Sequence, residues 1–353
     1  MKQKHLYYLA GVFVFLLIVY VITKPRHASV SLEEFVNTIV FGVAKEDVKS
    51  IEVYKESTAE NPIQLILKKE GDQWYVATKF GCKAQENTIN QLLDNLLEMT
   101  GKVRSSGPKH FDKYQITDEQ GIQLILKDEA EKTLANLIFG KKGEDYNTGF
   151  VRFAGKEKVY FADKNILTNL GIYGDIDTLT VLNDNSFVDL QAVDRDKESL
   201  EMVALVHNGK QMVVKNVEKE IEADEDSTAT VKKESVWVLA QANSELELEK
   251  KEVENFLRDV TKIRAQKVVD RIGSTLQDLN KNQKYGFNRP RNAIVFIEKG
   301  SDQQENIIFG KEFEKDKGYY MNVQYDGLVY EVSKANFDKI IKWGEELPQK
   351  INK

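Results

Sequence analysis

The chain has 353 residues, of which 41% are hydrophobic and 30% are charged. It is too long for one small core and too rich in apolar residues for a disordered protein, so we expect two folded domains. The formal net charge is −6, and Lys and Arg are interspersed with Asp and Glu, which argues against nucleic-acid binding. The single cysteine, Cys82, excludes an intramolecular disulfide and a metal site with several cysteine ligands.

The first predicted element is a membrane anchor. Residues 6–23 carry no charged side chain, and a helix rising about 1.5 Å per residue spans roughly 27 Å over this length. Tyr7, Tyr8 and Tyr20 lie near its ends, where aromatic rings favour the membrane interface. No small-residue cleavage site follows, so we expect an uncleaved anchor over residues 1–24, with the rest of the chain outside the cytoplasm.

Strand signals follow the anchor. Strands are predicted at 51–54, at 63–67, where apolar residues recur with period two, and at 73–76, with turn-forming residues between them. An amphipathic helix is predicted next, because apolar residues recur at three- and four-residue steps from Ile89 to Val103. Further strands are predicted at 122–126, 134–139, 150–153 and 159–161, before a short helix at Leu167 and Leu170. This order predicts an antiparallel sheet with a crossing helix, an α+β fold.

The same order of elements recurs later in the chain. A strand containing Trp237 precedes a second amphipathic stretch from Val253 to Val268. Strands are then predicted at 293–297, 307–309, 320–323 and 329–332, before a short helix at Phe337 and Ile340. Trp74 and Trp237 occupy equivalent strand positions, so both are expected to pack against the helix of their own repeat.

Direct sequence correspondence supports a duplication. Residues 139–164 and 309–334 align without a gap, and both begin with Phe-Gly-Lys and contain a Val-Tyr pair near the end. Upstream, Phe35 corresponds to Phe187. The second copy carries an acidic insertion at 217–234, predicted to be a solvated loop because its carboxylates lack the spacing of a calcium loop. The predicted domains are an anchor (1–24), a first α+β repeat (25–170), a linker (171–186), a second α+β repeat (187–345) and a polar tail (346–353).

No catalytic, cofactor-binding or metal-binding residue is predicted. Residues 140–143, Gly-Lys-Lys-Gly, have the wrong spacing for a phosphate loop and are interpreted as a turn. The histidines are scattered, with no spacing that aims two imidazoles at one metal. They are His5, His27, His110 and His207.

A family resemblance rests on motifs in combination. These are the uncharged amino-terminal stretch, the Trp-containing strand followed by an amphipathic helix, Tyr285-Gly286-Phe287 with Pro290 behind it, the Phe-Gly-Lys segment and the Val-Tyr strand. Together they resemble a widespread bacterial family of unknown function, numbered four-three-four-zero among such domains. In the first copy Tyr114 is followed by Gln115, so its turn is expected to form differently.

The resemblance implies an extracytoplasmic protein of the bacterial cytoplasmic membrane, often encoded beside GldG-like auxiliary proteins and permeases of ABC-2 transporters, some linked to gliding motility. We therefore expect a non-enzymatic, membrane-anchored accessory subunit that binds an ABC-2 permease, a GldG-like auxiliary protein or an envelope component. The alternative is a cell-envelope hydrolase with its site between the two repeats, where clefts tend to form. A structural spacer is a third possibility. A deep polar pocket with close carboxylates would favour the enzyme.

Overall fold

The computed structural model describes Phe13 and residues 37–56, 63–222, 231–241, 244–273 and 275–350. Apart from Phe13, the anchor predicted at residues 6–23 lies outside these described residues. Among the residues described, no helix is both long enough and apolar enough to cross a membrane.

The regular elements are numbered in chain order. The strands are β1 (Asn37–Thr38), β2 (Ser50–Lys55), β3 (Ile63–Glu70), β4 (Gln73–Val76), β5 (Cys82–Lys83), β6 (Thr100–Ser106), β7 (Ile122–Lys127), β8 (Thr133–Lys142), β9 (Gly149–Phe153), β10 (Lys158–Ala162), β11 (Gln191–Asp194), β12 (Leu200–His207), β13 (Lys210–Glu222), β14 (Val231–Gln241), β15 (Ser244–Glu247), β16 (Lys262–Arg264), β17 (Lys267–Arg271), β18 (Asn292–Glu298), β19 (Gln304–Glu314), β20 (Gly318–Val323) and β21 (Leu328–Ser333). The helices are α1 (Glu86–Leu97), α2 (Phe111–Tyr114), α3 (Ile166–Asn169), α4 (Lys250–Thr261), α5 (Leu276–Lys281), α6 (Lys334–Ile341) and α7 (Trp343–Lys350).

In the described part of the chain the strands form three antiparallel sheets. The first sheet has the order β1-β6-β10-β9-β8-β7-β2-β3-β4-β5, and the second has the order β17-β21-β20-β19-β18-β12-β13-β14-β15. Strands β11 and β16 form a small third sheet. Across the first sheet from β6 to β5, and across the second from β17 to β15, equivalent strands of the two halves follow one another in the same order. The predicted combination of antiparallel sheets with a few helices is confirmed.

Helices α1 and α4 bury the apolar faces predicted for them. The buried apolar positions are Ile89, Leu92, Leu93 and Leu96 in α1, and Val253, Phe256, Leu257 and Val260 in α4. They belong to a hydrophobic cluster that includes residues of both large sheets. Full burial of each such side chain contributes about 1.5–3 kcal/mol. The predicted stripes extended too far, however, because Val103 lies in β6 and Val268 lies in β17.

The Phe-Gly-Lys segments were predicted to be turns, but they are parts of the long strands β8 and β19. A Cβ atom at Gly140 would collide with the carbonyl oxygen of Tyr114, and one at Gly310 would collide with that of Tyr285. The repeated glycine therefore allows a close approach between backbones. The segment that approaches each glycine is followed by a residue in the left-handed backbone conformation. This residue is Gln115 (φ 54°) in the first copy and Gly286 (φ 79°) in the second. The two copies thus form this turn alike, contrary to expectation.

The described parts of the acidic insertion, residues 217–222 and 231–234, are strand, so the prediction of a loop was wrong for them. Strand β13 continues to Glu222 and pairs with β14 from Val231 onward. Residues 223–230, between them, lie outside the described residues. Exposed cross-strand ion pairs accompany this ribbon, including Lys233 with Glu218 at 3.2 Å. Opposite charges on facing strands stabilise the pairing, so a highly charged segment can form strands instead of the predicted loop.

The second half also differs from expectation at Trp237 and at its carboxyl end. Trp74 is buried, with 3% exposure, whereas Trp237 is only partly buried. The predicted polar tail begins inside α7, where Leu347 is fully buried at 0% exposure. In α7 the Trp343 indole donates a 3.1 Å hydrogen bond to Asp259 in α4. The second half therefore continues beyond residue 345.

Apolar residues of the predicted linker at 171–186 pack into the core. Ile172, Ile176 and Leu182 are each buried in the main hydrophobic cluster. A short 3-10 helix, Asp184–Phe187, ends the segment and leads into the second half. This packing fixes the place where the two halves meet.

Candidate functional site

The two halves meet where the connection between β4 and β5 contacts the second sheet. Arg271, at the end of β17, donates from Nε to the carbonyl oxygen of Phe80 at 2.7 Å and from Nη2 to that of Gly81 at 3.1 Å. Its Nη1 donates to the carbonyl oxygen of Asp326 at 2.8 Å. The planar guanidinium presents several donors in a fixed geometry, so a single side chain connects the first half to the second.

Backbone pairing extends the same contact. Ala84 forms an isolated antiparallel bridge with Val188, and the amide of Gln85 donates to the carbonyl oxygen of Phe187 at 2.7 Å. Lys79 forms an ion pair with Asp184 at 3.2 Å, and both side chains are mostly buried. We call β4, β5 and their connection the first hairpin. It joins the second half as an added strand would, by main-chain hydrogen bonds flanked by side-chain contacts.

A polar cluster of the second sheet lies under the first hairpin. The Tyr330 hydroxyl donates to Asp326 at 2.7 Å, and the amide of Leu328 donates to the same carboxylate at 2.8 Å. Burial raises the pKa of Asp326, while burial and the neighbouring Asp326 carboxylate raise that of Tyr330. Burial also raises the pKa of Cys82, in the first hairpin, to about 12. A thiol with so high a pKa is neutral near neutral pH and is a poor nucleophile.

We call Val268, Arg271, Asp326 and Tyr330 the covered corner of the second sheet. Val268 is fully buried and Tyr330 is 4% exposed. These two residues are cross-strand partners in β17 and β21, and a register shift follows them. Covering by the first hairpin is thus accompanied by almost complete burial of the apolar and aromatic residues at this corner.

The first sheet has the same corner at the same register. Val103 and Tyr160 are cross-strand partners in β6 and β10, with a register shift next to them. Ser106 stands where Arg271 stands in the second sheet, and Lys156 takes the position of Asp326. The two turns match in their backbone, because the amide of Lys156 donates to Phe153 as the amide of Asp326 donates to Val323. We call Val103, Ser106, Lys156 and Tyr160 the open corner.

The open corner is exposed. Val103 is 52% exposed, in contrast to the fully buried Val268, and Tyr160 is only partly buried. A groove of about 720 Å³ lies here, with Ala135, Phe153 and Tyr160 among its lining residues. The rings of Phe153 and Tyr160 meet edge to face at 6.4 Å. Partly exposed aromatic and aliphatic groups in a groove favour contact with another apolar surface.

Charged side chains surround this apolar surface. Lys156, Glu157 and Lys158 are exposed and line the groove. Charged residues around an apolar centre are typical of the rim of a protein interface, where they select the partner by charge. Exposed residues of this kind are suited to docking a polypeptide.

The second sheet has a smaller polar groove of about 380 Å³ beside Tyr325. There Arg195 donates to both oxygens of Glu305, at 2.7 and 2.6 Å, and its guanidinium lies over the Tyr325 ring at 4.5 Å. A bidentate ion pair stacked on an aromatic ring has a fixed geometry and orders this part of the second half.

Of the four histidines in the sequence, two lie in the described residues. His207 is hydrogen-bonded through Nδ1 to Asn292 at 2.7 Å, while His5 and His27 lie outside the described residues. Within the ranges that the structure describes, no three His, Cys, Asp or Glu side chains come together as metal ligands would. Both corners were missed from sequence, although the register of Tyr160 and Tyr330 within the repeat, and the change from Lys156 to Asp326, were signals that pointed to them.

Comparison with known proteins identifies one match. Residues 74–283 match the family described as Domain of unknown function (DUF4340), which covers more than half of the chain. No curated protein and no solved structure matches this chain. The matched region includes the first hairpin from Trp74 onward, the open corner and Arg271.

Proposed function

The chain belongs to the DUF4340 family of unknown function, and we propose that this protein is a non-enzymatic accessory subunit that acts by binding other proteins. The observation that carries the proposal is the open corner. The covered corner, built on equivalent strands with an equivalent register shift, already holds a polypeptide segment within this chain. The open corner offers the same apolar pair and a charged rim, so its construction suits docking of a protein segment.

A duplication accounts for the two corners. Nine equivalent strands stand in the same order in both large sheets, and the glycines of the two Phe-Gly-Lys segments meet equivalent carbonyl groups. Duplication of one domain would produce two corners and two hairpins. The first hairpin fills one corner and the other corner stays available.

The proposed location is the bacterial cytoplasmic membrane, with residues 6–23 as a single-pass anchor and the bulk of the chain extracytoplasmic. The uncharged length of this stretch supports the anchor. Tethering raises the local concentration of the domain beside integral membrane proteins, so that a modest contact is sufficient for association. The proposed partner is an ABC-2 permease or its GldG-like auxiliary protein, on the basis of the family resemblance.

The test is recovery of the tagged full-length chain from membranes in mild detergent, followed by identification of the proteins that accompany it. We expect a permease or a GldG-like protein, and we expect deletion of residues 1–24 to reduce its recovery without unfolding the remainder. Circular dichroism of the shortened chain serves as the folding control. Recovery of the chain alone, together with turnover of an envelope polymer by the purified protein, would contradict the proposal and favour the hydrolase.

A further inference from the structure

We propose that the open corner binds an acidic segment of a partner protein, which places a large apolar side chain in the groove and its carboxylates against Lys156 and Lys158. The inference rests on the proposed function, because it requires the open corner to bind a protein, and it adds the chemistry of the bound segment. The width of the groove, its lining and the charge around it each support this partner.

The groove of the first sheet is wider than its counterpart in the second, at about 720 Å³ against about 380 Å³. Both lie at the same place in the repeat, because four lining residues of one are aligned with four of the other. Thr133, Leu134, Ala135 and Ala154 are aligned with Gln303, Gln304, Glu305 and Gln324. The backbone agrees, since the amides of Ala154 and Gln324 donate to the aligned carbonyl groups of Asn136 and Asn306, each at 3.0 Å.

Smaller side chains accompany the wider groove. Ala135 stands where the second half has Glu305, and Gly155 stands where it has Tyr325. In the second half, both larger side chains are in contact with the guanidinium of Arg195. The first half lacks these two side chains, so its groove has room for a side chain from another molecule.

Apolar groups line this space. Phe153 and Tyr160 pack against the main hydrophobic cluster but are only partly buried. Val103, the cross-strand partner of Tyr160, is 52% exposed. A Phe or Leu side chain placed among them would leave water, and full burial of such a side chain contributes about 1.5–3 kcal/mol.

Polar groups at the groove favour a polypeptide over an acyl chain. Ser106 and Thr133 are exposed and belong to the lining. Their hydroxyl groups can donate to carbonyl groups and accept from amides of a bound main chain. An acyl chain has no such groups and would take the hydroxyls away from water without replacing their hydrogen bonds.

The lysines of the groove favour an acidic segment. Lys156 and Lys158 are exposed in the lining, and Glu157 between them compensates only one of the two charges. Within the ranges that the structure describes, neither lysine forms an ion pair. Carboxylates of a partner would therefore meet positive charge that this region leaves uncompensated, although the whole chain has a formal net charge of −6.

The second copy shows the same kind of site satisfied within one chain. There the groove supplies a carboxylate, Glu305, and the cation is Arg195, which follows β11. In the first copy the signs are reversed, because the groove supplies Lys156 and Lys158 while Val43 is aligned with Arg195. The complementary carboxylate then comes from another protein. Charge complementarity of this kind selects the partner and speeds the encounter.

Binding of the full-length chain to an array of short peptides tests the proposal. The chain carries a fluorescent tag and is kept in mild detergent. The peptides range from strongly acidic to strongly basic, each with a central Phe, Leu or Ser. We expect the strongest signal from acidic peptides with Phe or Leu. Equal binding of acidic and basic peptides, equal binding of the Ser series, or no binding by the folded chain would overturn the proposal.

Charge reversal in the groove separates recognition from folding. Lys156→Glu combined with Lys158→Glu should weaken binding of the acidic peptides by about tenfold or more and shift the preference to basic peptides. A loss of structure would abolish binding without reversing the preference. Lys315→Glu combined with Lys317→Glu, at exposed positions with the same spacing, is the matched control and should change nothing. An acidic preference retained by the groove variant would contradict the proposal.

Val103→Ser tests the apolar contact. Since Val103 is 52% exposed, the fold should be kept, while binding of the acidic Phe and Leu peptides should fall by about threefold to tenfold. Val181→Ser, at a position that is 71% exposed, is the matched control and should bind as the wild type does. Unchanged binding by Val103→Ser would show that the apolar residue of the peptide does not enter the groove.

The proposed function and this inference fail in different ways. A photo-cross-linker at position 103 that attaches to a neutral or basic segment of a permease or GldG-like protein would overturn the inference and leave the accessory role standing. A lipid adduct there would overturn the inference, because an acyl chain would then fill the groove. Selective binding of acidic peptides by a chain without any membrane partner would support the inference and count against the accessory role.

Discussion

The Nε atom of Arg271 donates a 2.7 Å hydrogen bond to the carbonyl oxygen of Phe80, a residue 191 positions earlier in the chain. This bond joins the end of a strand in the second sheet to a hairpin of the first half. Phe80 has a positive φ of 57°, which turns its carbonyl group into the contact. At the equivalent position of the first sheet stands Ser106, beside a groove that is open. Equivalent positions of the two large sheets therefore differ at this corner.

Replacement of Arg271 should loosen the junction. Arg271→Ala removes three hydrogen bonds to carbonyl oxygens and should lower the free energy of unfolding by about 1–3 kcal/mol. Arg271→Lys keeps the charge but has no planar fork and should recover only part of this loss. Urea unfolding of the full-length chain in mild detergent measures both. Equal stability of the wild type and the Ala variant would show that the junction does not depend on Arg271.

The two equivalent tryptophans should differ in their contribution to stability. Trp74→Ala should cost about 3–5 kcal/mol, because the side chain is 3% exposed. Trp237→Ala should cost less, since part of the indole is already in solvent. Free energies of unfolding in urea provide the comparison, with Trp74→Phe as a control that keeps most of the buried area. A loss at Trp237 equal to or larger than that at Trp74 would contradict the burial described.

Cys82 should resist alkylation in the folded protein. Its thiol is buried, and burial raises its pKa to about 12, so the reactive thiolate is scarce near pH 8. We expect slow labelling by a maleimide in the native state and complete labelling in denaturant. Arg271→Ala, which releases the carbonyl groups of Phe80 and Gly81, should accelerate native labelling. Rapid labelling of the wild type would show that the first hairpin does not stay docked.

Asp326 should make the junction sensitive to pH. Its pKa is raised by burial, so the stability that the protonated carboxyl contributes is present below the usual pKa of about 3.9 and is lost as the pH rises through the raised value. Asp326→Asn cannot ionise. Relative to the wild type, its melting temperature should therefore improve between about pH 4 and about pH 7. Any pH-independent cost of the substitution cancels in this comparison.

The control for that prediction is Asp72→Asn, a change at an exposed turn position. It should shift the melting temperature by the same amount at both pH values. A pH trend of the same size for both variants would assign the effect to net charge instead of to Asp326.

Much of the fold was predictable because its signals are local. Period-two apolar residues indicated β3, and the three- and four-residue steps from Ile89 indicated α1. The short strands β1, β5 and β15 were missed, because two to four residues carry too little periodicity. The glycine of Phe-Gly-Lys suggested a turn, but its role is to admit the carbonyl group of Tyr114 from a distant segment. Contacts of that kind cannot be inferred from local sequence.

The candidate site was less predictable than the fold. Val103 looked like part of a helix stripe, although it lies on a strand that is covered in one copy and exposed in the other. Val268 is buried on the strand that ends at Arg271, which binds a hairpin from a distant part of the sequence, whereas Val103 lies on the equivalent strand and is 52% exposed. The difference in charge between Lys156 and Asp326 is visible in the aligned repeats. The sequence does not show that both residues occupy the same turn at a corner of a sheet.

The most direct test of the account asks whether the open corner contacts protein in the membrane. A photo-cross-linking amino acid replaces Val103 in the full-length chain, and a second chain carries it at the exposed position of Lys315 as a control. A third chain carries it in place of Phe80, where a cross-link within the chain verifies the photochemistry. The account predicts a protein adduct from position 103, reduced by Lys156→Glu, and little or none from position 315. An unmodified chain after irradiation at position 103, with the Phe80 cross-link formed, would contradict it.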